Sequence, residues 1–214
     1  MSTPVALTLG DAAGIGPEIV VKLHAQGLNA PCVVYGDYGA IERATQMLGL
    51  PVQCIAIDTL QSVPVHPHPG QLYVRSTHPA LPADLPLGRV DARAGSAAVC
   101  ALRMAIDDAM QHKVRAIVTA PLNKESMHAA GIDFPGHTEI LAEQSGTEHV
   151  AMMLVNDQLR VILATIHIPL ADVSRTLTIA LEKRTIELAH RACVAMGVKA
   201  PRVAVAGLNP HAGE

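Results

Sequence analysis

The chain has no tryptophan, one phenylalanine (Phe134) and three tyrosines in 214 residues, although half of it is apolar. Its core must therefore be built from Ala, Val, Leu, Ile and Met. That palette suits helices laid on a parallel sheet better than an aromatic-rich β-sandwich. Charge is also sparse: 16 Lys and Arg stand against 19 Asp and Glu, for a net charge of −3, with no basic cluster. A nucleic-acid partner is excluded on that ground. No apolar run approaches the ~18 residues that span a bilayer, so no membrane association is expected. No basic n-region or small-residue cleavage site is read in the first residues, so no secretory leader is expected. The four cysteines, Cys32, Cys54, Cys100 and Cys193, are scattered without a C-x-x-C pair. They read as buried thiols in a reducing, cytoplasmic setting.

At 22.5 kDa the chain is long enough for one sizeable α/β domain or two small ones. Pro4–Leu9 reads as a short strand broken by Gly10-Asp-Ala-Ala-Gly-Ile-Gly16, and Pro17 with Glu18 then opens a helix. Cys32–Tyr35 is a second strand, followed by a helix over Tyr38–Leu48 and a weak strand near Gln53–Ile57. Six prolines between Gln61 and Arg89 (Pro64, Pro67, Pro69, Pro79, Pro82, Pro86) forbid a continuous helix there. An irregular connection with a short strand at Gln71–Val74 is expected instead. Asp91–Gln111 is a helix carrying Ala98, Leu102, Ala105, Ile106 and Ala109 on one stripe.

Three further strands are predicted at Ala116–Thr119, Leu159–Thr165 and Arg202–Ala206, with helices from Asp172 and over about Thr178–Met196 between the last two. Alternating strands and helices imply right-handed parallel crossovers, which would bring every motif loop to one edge of the sheet. In such sheets ligands bind at the carboxyl ends of the strands.

Several residues in those loops can do chemistry. His167 and His211 each follow an apolar strand by one to five residues. Two imidazoles converging there would suit a divalent metal at roughly 2.0–2.1 Å, or they hold loops in place by hydrogen bonds. Two ligands are also fewer than the three that a catalytic zinc takes from protein. His137-Thr138-Glu139 follows Pro135-Gly136, with Thr138 in position to cap a helix whose free N–H groups would attract phosphate. A plain helix cap is the alternative. The Gly10–Gly16 turn is neither G-x-G-x-x-G nor a Walker A loop, and it reads as a tight strand-to-helix turn. Lys124 is either a substrate-facing cation or a solvated one. His66 and His68 read as solvated, and no role falls to His24, His112, His128, His149 or His190.

Taken in order, Leu9–Glu18, Thr119-Ala-Pro-Leu-Asn-Lys-Glu125, Pro135-Gly-His-Thr-Glu139, Ala164-Thr-Ile-His167 and Gly207-Leu-Asn-Pro-His-Ala-Gly-Glu214 resemble the motifs of the PdxA family. The resemblance covers essentially the whole chain, with Ala12 standing where the family usually has Pro. It implies a fold like isocitrate and isopropylmalate dehydrogenases, in two α/β lobes expected at 1–118 and 119–214.

It also implies NAD-dependent oxidative decarboxylation of 4-phosphooxy-L-threonine to 3-amino-2-oxopropyl phosphate, in pyridoxal phosphate synthesis. The matching positions make His137 and Thr138 substrate contacts. They make His167 and His211 ligands to a divalent metal, zinc ahead of magnesium or cobalt, in a homodimer with a shared active site. By the same resemblance the family continues past Glu214 to a third metal-binding histidine in a His-Asp-Gln motif. The expectation is therefore that these 214 residues alone have little dehydrogenase activity. Paralogues acting on 4-phospho-D-threonate or 4-phospho-D-erythronate are the near alternative. A non-catalytic chain that binds metal or phosphate is the distant one.

Overall fold

The computed structural model describes residues 3–66 and 68–214; Pro67 of the predicted irregular connection lies outside them. The chain forms two compact units, residues 1–148 and 149–214.

The first unit is a five-stranded, wholly parallel sheet in the order β3-β4-β2-β1-β5. Its strands are β1 (Val5–Thr8), β2 (Cys32–Gly36), β3 (Gln53–Ala56), β4 (Gln71–Ser76) and β5 (Ala116–Thr119). The period of two divides the strand side chains between two faces. Leu7, Val34, Leu72 and Val74 face one core, shared with the helices α1 (Gly16–Gln26) and α2 (Tyr38–Leu48). Ala6, Val33 and Tyr35 face the other, against Ala101 and Ala105 of α3 (Ala92–Met110). Alanine dominates the buried side of α3, which lets that helix lie close to the strands without aromatic filling.

α2 and α3 begin where short polar side chains satisfy free backbone donors. Asp37 accepts from the Ala40 N–H at 2.7 Å and Asp91 from the Arg93 N–H at 2.8 Å. Beyond β5 the chain adds α4 (Lys124–Ala129) and α5 (His137–Ser145), both packed on α3. Met127 and Ile140 seat them in a small core with Val99, Leu102 and Ile106.

The expected division at 118/119 therefore moves to 148/149. β5 is hydrogen-bonded to β1, and α4 and α5 bury their apolar residues against α3, so this stretch cannot separate from the first unit.

The second unit holds an antiparallel hairpin, β6 (Met153–Val155) with β7 (Arg160–Ile162), followed by α6 (Leu170–Thr176) and α7 (Ile179–Ala195). Asn156 makes the hairpin turn, its Oδ1 accepting from the N–H groups of Gln158 and Leu159. Two predictions fail in this unit. The strand foreseen over Leu159–Thr165 shortens to Arg160–Ile162 and pairs antiparallel rather than parallel. Arg202–Ala206 takes no regular structure: its apolar Val203 and Val205 stay exposed, and no strand pairs with it among the described residues. Alternation alone does not make a strand without a neighbour to complete its ladder.

No helix among the described residues is long and apolar enough to cross a membrane.

Candidate functional site

In the first unit the chain runs from β1 through α1 to β2 on one side, and reaches β5 on the other side of β1 only after α3. The strand order thus reverses between β1 and β5. The crevice outside the carboxyl ends of those two strands is where such sheets bind ligands.

An open cleft of about 430 Å³ occupies that position, lined by Asp11, Gly14 and Ile15 from the β1 turn and by Pro121–Glu125 from the loop after β5. The two loops are locked together. The Asp11 N–H donates to the Pro121 carbonyl at 3.0 Å, and the Ala120 N–H donates to the Thr8 carbonyl at 3.0 Å. Gly10, at φ 69°, could carry no side chain, since a Cβ would lie 2.9 Å from the Ala120 carbonyl oxygen and closer still to that of Pro121. Burial of Asp11 is nearly complete, at 3% exposed. Its Oδ1 accepts from the Ala13 N–H at 2.7 Å and its Oδ2 from the Ser126 hydroxyl at 3.0 Å. Lys124 and Glu125 complete the lining as the first residues of α4, which Asn123 caps by accepting from the Ser126 N–H at 3.1 Å.

His137 and Thr138 stand together at the start of α5. The cap differs from the expected one. Gly136 is the N-cap, His137 opens the helix and Thr138 lies inside its first turn. No side chain caps this helix, so its first-turn N–H groups lack the partner that Asp37, Asp91 and Asn123 give α2, α3 and α4. His137 is half-buried, and its Nε2 is shut from solvent with no hydrogen-bond partner. Burial lowers its pKa from the ordinary imidazole value, against a weaker opposite effect of the Ala120 backbone. That backbone belongs to the same loop whose next residues line the cleft. An imidazole nitrogen without a partner, beside a helix start without a cap, is an arrangement suited to an anion.

His167 and His211 belong to the second unit. His167 sits in an exposed loop at φ 56°, a left-handed conformation uncommon for a residue other than glycine, and such strain collects at functional positions. Four residues separate it from β7, the antiparallel strand. His211 is exposed, with Nδ1 2.8 Å from Glu214 Oε1. A carboxylate on one ring nitrogen leaves the other free to ligate, as metal-bound histidines commonly show. Each histidine offers an imidazole donor. Among the described residues no cluster of three His, Cys, Asp or Glu completes a metal site. The parallel-edge argument that placed both histidines on one rim does not hold, because neither follows a strand of the five-stranded sheet.

A Cβ at Gly16 would fall on the Leu9 carbonyl, so packing of the turn itself accounts for that glycine. His66 and His68 are exposed, as expected, and the four cysteines are half-buried rather than fully buried. Two features escaped sequence reasoning. Ser126 gives no motif signal of its own, and His24 proves to be a buried core histidine on α1.

Comparison with known proteins gives a consistent picture. The family model described as pyridoxal phosphate biosynthetic protein PdxA matches residues 28–214. A 4-hydroxythreonine-4-phosphate dehydrogenase of Beijerinckia indica is 46% identical over 212 residues, covering 99% of this chain and 62% of that protein. A D-threonate 4-phosphate dehydrogenase of Cupriavidus necator is 42% identical, covering 98% of this chain and 63% of that protein. The crystal structure of a 4-hydroxythreonine-4-phosphate dehydrogenase from Burkholderia phymatum superposes with a TM-score of 0.88 at 40% identity, over 100% of this chain and 64% of the other. The chain thus spans somewhat under two thirds of the length of the proteins it matches.

Proposed function

The chain belongs to the PdxA family, and from that premise we propose that it carries the phosphate-binding part of a dehydrogenase acting on a phosphorylated hydroxy acid. Of the substrates in its relatives' names, 4-phosphooxy-L-threonine (4-hydroxythreonine 4-phosphate) is the first choice, being that of the Beijerinckia protein, and D-threonate 4-phosphate is the second. The observation that carries the reading is the start of α5. There the uncapped first turn carries the unpartnered His137 Nε2, and the same ring meets the backbone of Ala120, directly before the loop that lines the cleft between β1 and β5.

In this reading the first-turn N–H groups of α5 and the Thr138 hydroxyl donate to the phosphate oxygens, and the helix dipole adds to the attraction. His137 adds a donor at Nε2, charged when an anion beside it offsets the penalty of burial. The locked turns after β1 and β5 hold the cleft walls still, so the bound acid meets a preformed surface. His167 and His211 would hold a divalent metal, zinc first, as two of its ligands. When bound, that metal would polarise the hydroxyl under oxidation and NAD would accept the hydride. The overall change converts a secondary alcohol and NAD⁺ to a ketone, NADH and a proton. Loss of CO2 from the β-keto acid follows. Two imidazoles fall short of a catalytic donor set, so the 214 residues alone turn over little substrate. We assign the working form to a homodimer sharing its active site.

Calorimetry with 4-phosphooxy-L-threonine, 4-phospho-D-threonate and 4-phospho-D-erythronate, alongside an NADH assay, tests the proposal. Binding of at least one acid with NADH formation near background is the expected result. Failure to bind any of the three would overturn the functional reading, and sustained NADH formation would overturn the claim of low turnover.

A further inference from the structure

α1 starts directly after the turn that lines the cleft and carries His24 near its other end. His24 is 4% exposed. Its Nδ1 lies 2.8 Å from the Val20 carbonyl, which fixes Nδ1 as the protonated nitrogen of the neutral ring. Nε2 is then a lone pair, shut from solvent and without a partner. Beside the ring lies a cavity of about 10 Å³, room for roughly one water molecule. It is lined from β2 by Cys32, from the proline-rich connection by Val63, Pro64 and His68, and from β4 by Gln71 and Tyr73.

We propose that His24 is an acid-sensitive latch, holding the end of α1 against β2 and the proline-rich connection while its ring is neutral and releasing them when it is protonated. Protonation turns Nε2 into a charged donor, and among the described residues no carboxylate lines the cavity to neutralise it. The titratable groups facing His24 are the Cys32 thiol, the His68 imidazole and the Tyr73 phenol; no Asp, Glu, Lys or Arg lines the space among the described residues. Burial pushes the Cys32 thiol up to about 12, so it supplies no thiolate. Tyr73 donates to Gln71 Oε1 at 2.7 Å, which engages one lone pair of that amide oxygen. An unanswered buried cation is costly, and admitting water by lifting the connection is the relief open to it. Burial accordingly lowers the pKa of His24, against the weaker effect of the Val20 carbonyl. The connection suits this part: beyond its single 3-10 turn at Leu60–Ser62, residues 57–70 have no regular structure among those described.

Amide exchange of the whole chain, corrected for the intrinsic rate and compared at about pH 7.5 and about pH 5.5, tests the latch. Residues 20–26, 63–66 and 68–71 should lose protection about tenfold on acidification. His24→Gln and His24→Leu, which cannot titrate, should abolish the change. Unaltered protection in the wild type, or equal loss in wild type and variants, would overturn the proposal. Should neither variant fold, NMR titration of the His24 ring in the wild-type chain decides. Protonation in step with the loss of protection supports the latch, and loss of protection around a ring that stays neutral refutes it.

Discussion

The Ser126 hydroxyl donates to the Asp11 carboxylate at 3.0 Å across 115 residues of sequence, and both side chains are buried. This bond ties the turn after β1 to α4. The Ser126 oxygen in turn lies 3.3 Å from the Asp91 N–H at the start of α3. Ser126→Ala leaves one carboxylate oxygen buried without its donor. Equilibrium urea unfolding should show a loss of about 1–3 kcal/mol.

Gly95 packs α3 against α4 at backbone distance: a Cβ there would lie 2.6 Å from the Met127 nitrogen and closer still to the Ser126 carbonyl. Alanine favours a helix over glycine by ~1 kcal/mol. Overpacking against rigid backbone costs about 1–3 kcal/mol or more, and it decides the sign. Gly95→Ala should lower the thermal midpoint.

Much of this was legible in the sequence, and the reason differs by region. β1, β2, β5, α2 and α3 announce themselves because continuous apolar runs, an aspartate before each of those two helices and a glycine after α2 all agree on one structure. Motif loops at strand ends pointed to one edge of the sheet, but that β1 and β5 are neighbours there depends on a strand order that the local sequence does not specify. The α5 cap differs from the expected one because Thr138 has capping chemistry, whereas the backbone geometry is set two residues earlier by Gly136. Arg202–Ala206 failed because a strand depends on a partner that its own residues do not specify. His24 could be placed on a helix, but its burial depends on the connection folding over it, which local sequence does not encode.

An acidic limit on stability follows from two histidines. Burial lowers the pKa of both His24 and His137 in the fold, below the 6.5 of the unfolded chain. The unfolded chain therefore binds more protons in the window under 6.5, and stability falls with pH there. Their contribution is complete above pH 6.5 and is lost as pH drops toward the folded values. Unfolding midpoints should decline from about pH 7 to about pH 5, and less steeply in His24→Gln than in the wild type.

His137 should also make anion binding depend on pH. Sulfate does not titrate in this range, so its affinity reports the protein alone. An anion at the start of α5 favours the charged imidazole, so sulfate should bind more tightly as pH falls from about 7 to about 6. Uptake of protons on binding, read by calorimetry in two buffers of different ionisation enthalpy, should accompany it. His137→Asn should remove both the pH dependence and the uptake.

Amide and side-chain NMR of the chain titrated with 4-phosphooxy-L-threonine tests the central claim most directly. The account predicts saturable shifts at His137, Thr138 and Glu139 together with Asp11 and Leu122–Lys124. It also predicts a loss of affinity of at least about tenfold in His137→Asn, equivalent to about 1.4 kcal/mol. Saturable binding that leaves these residues unshifted, or an undiminished affinity in that variant, would contradict it.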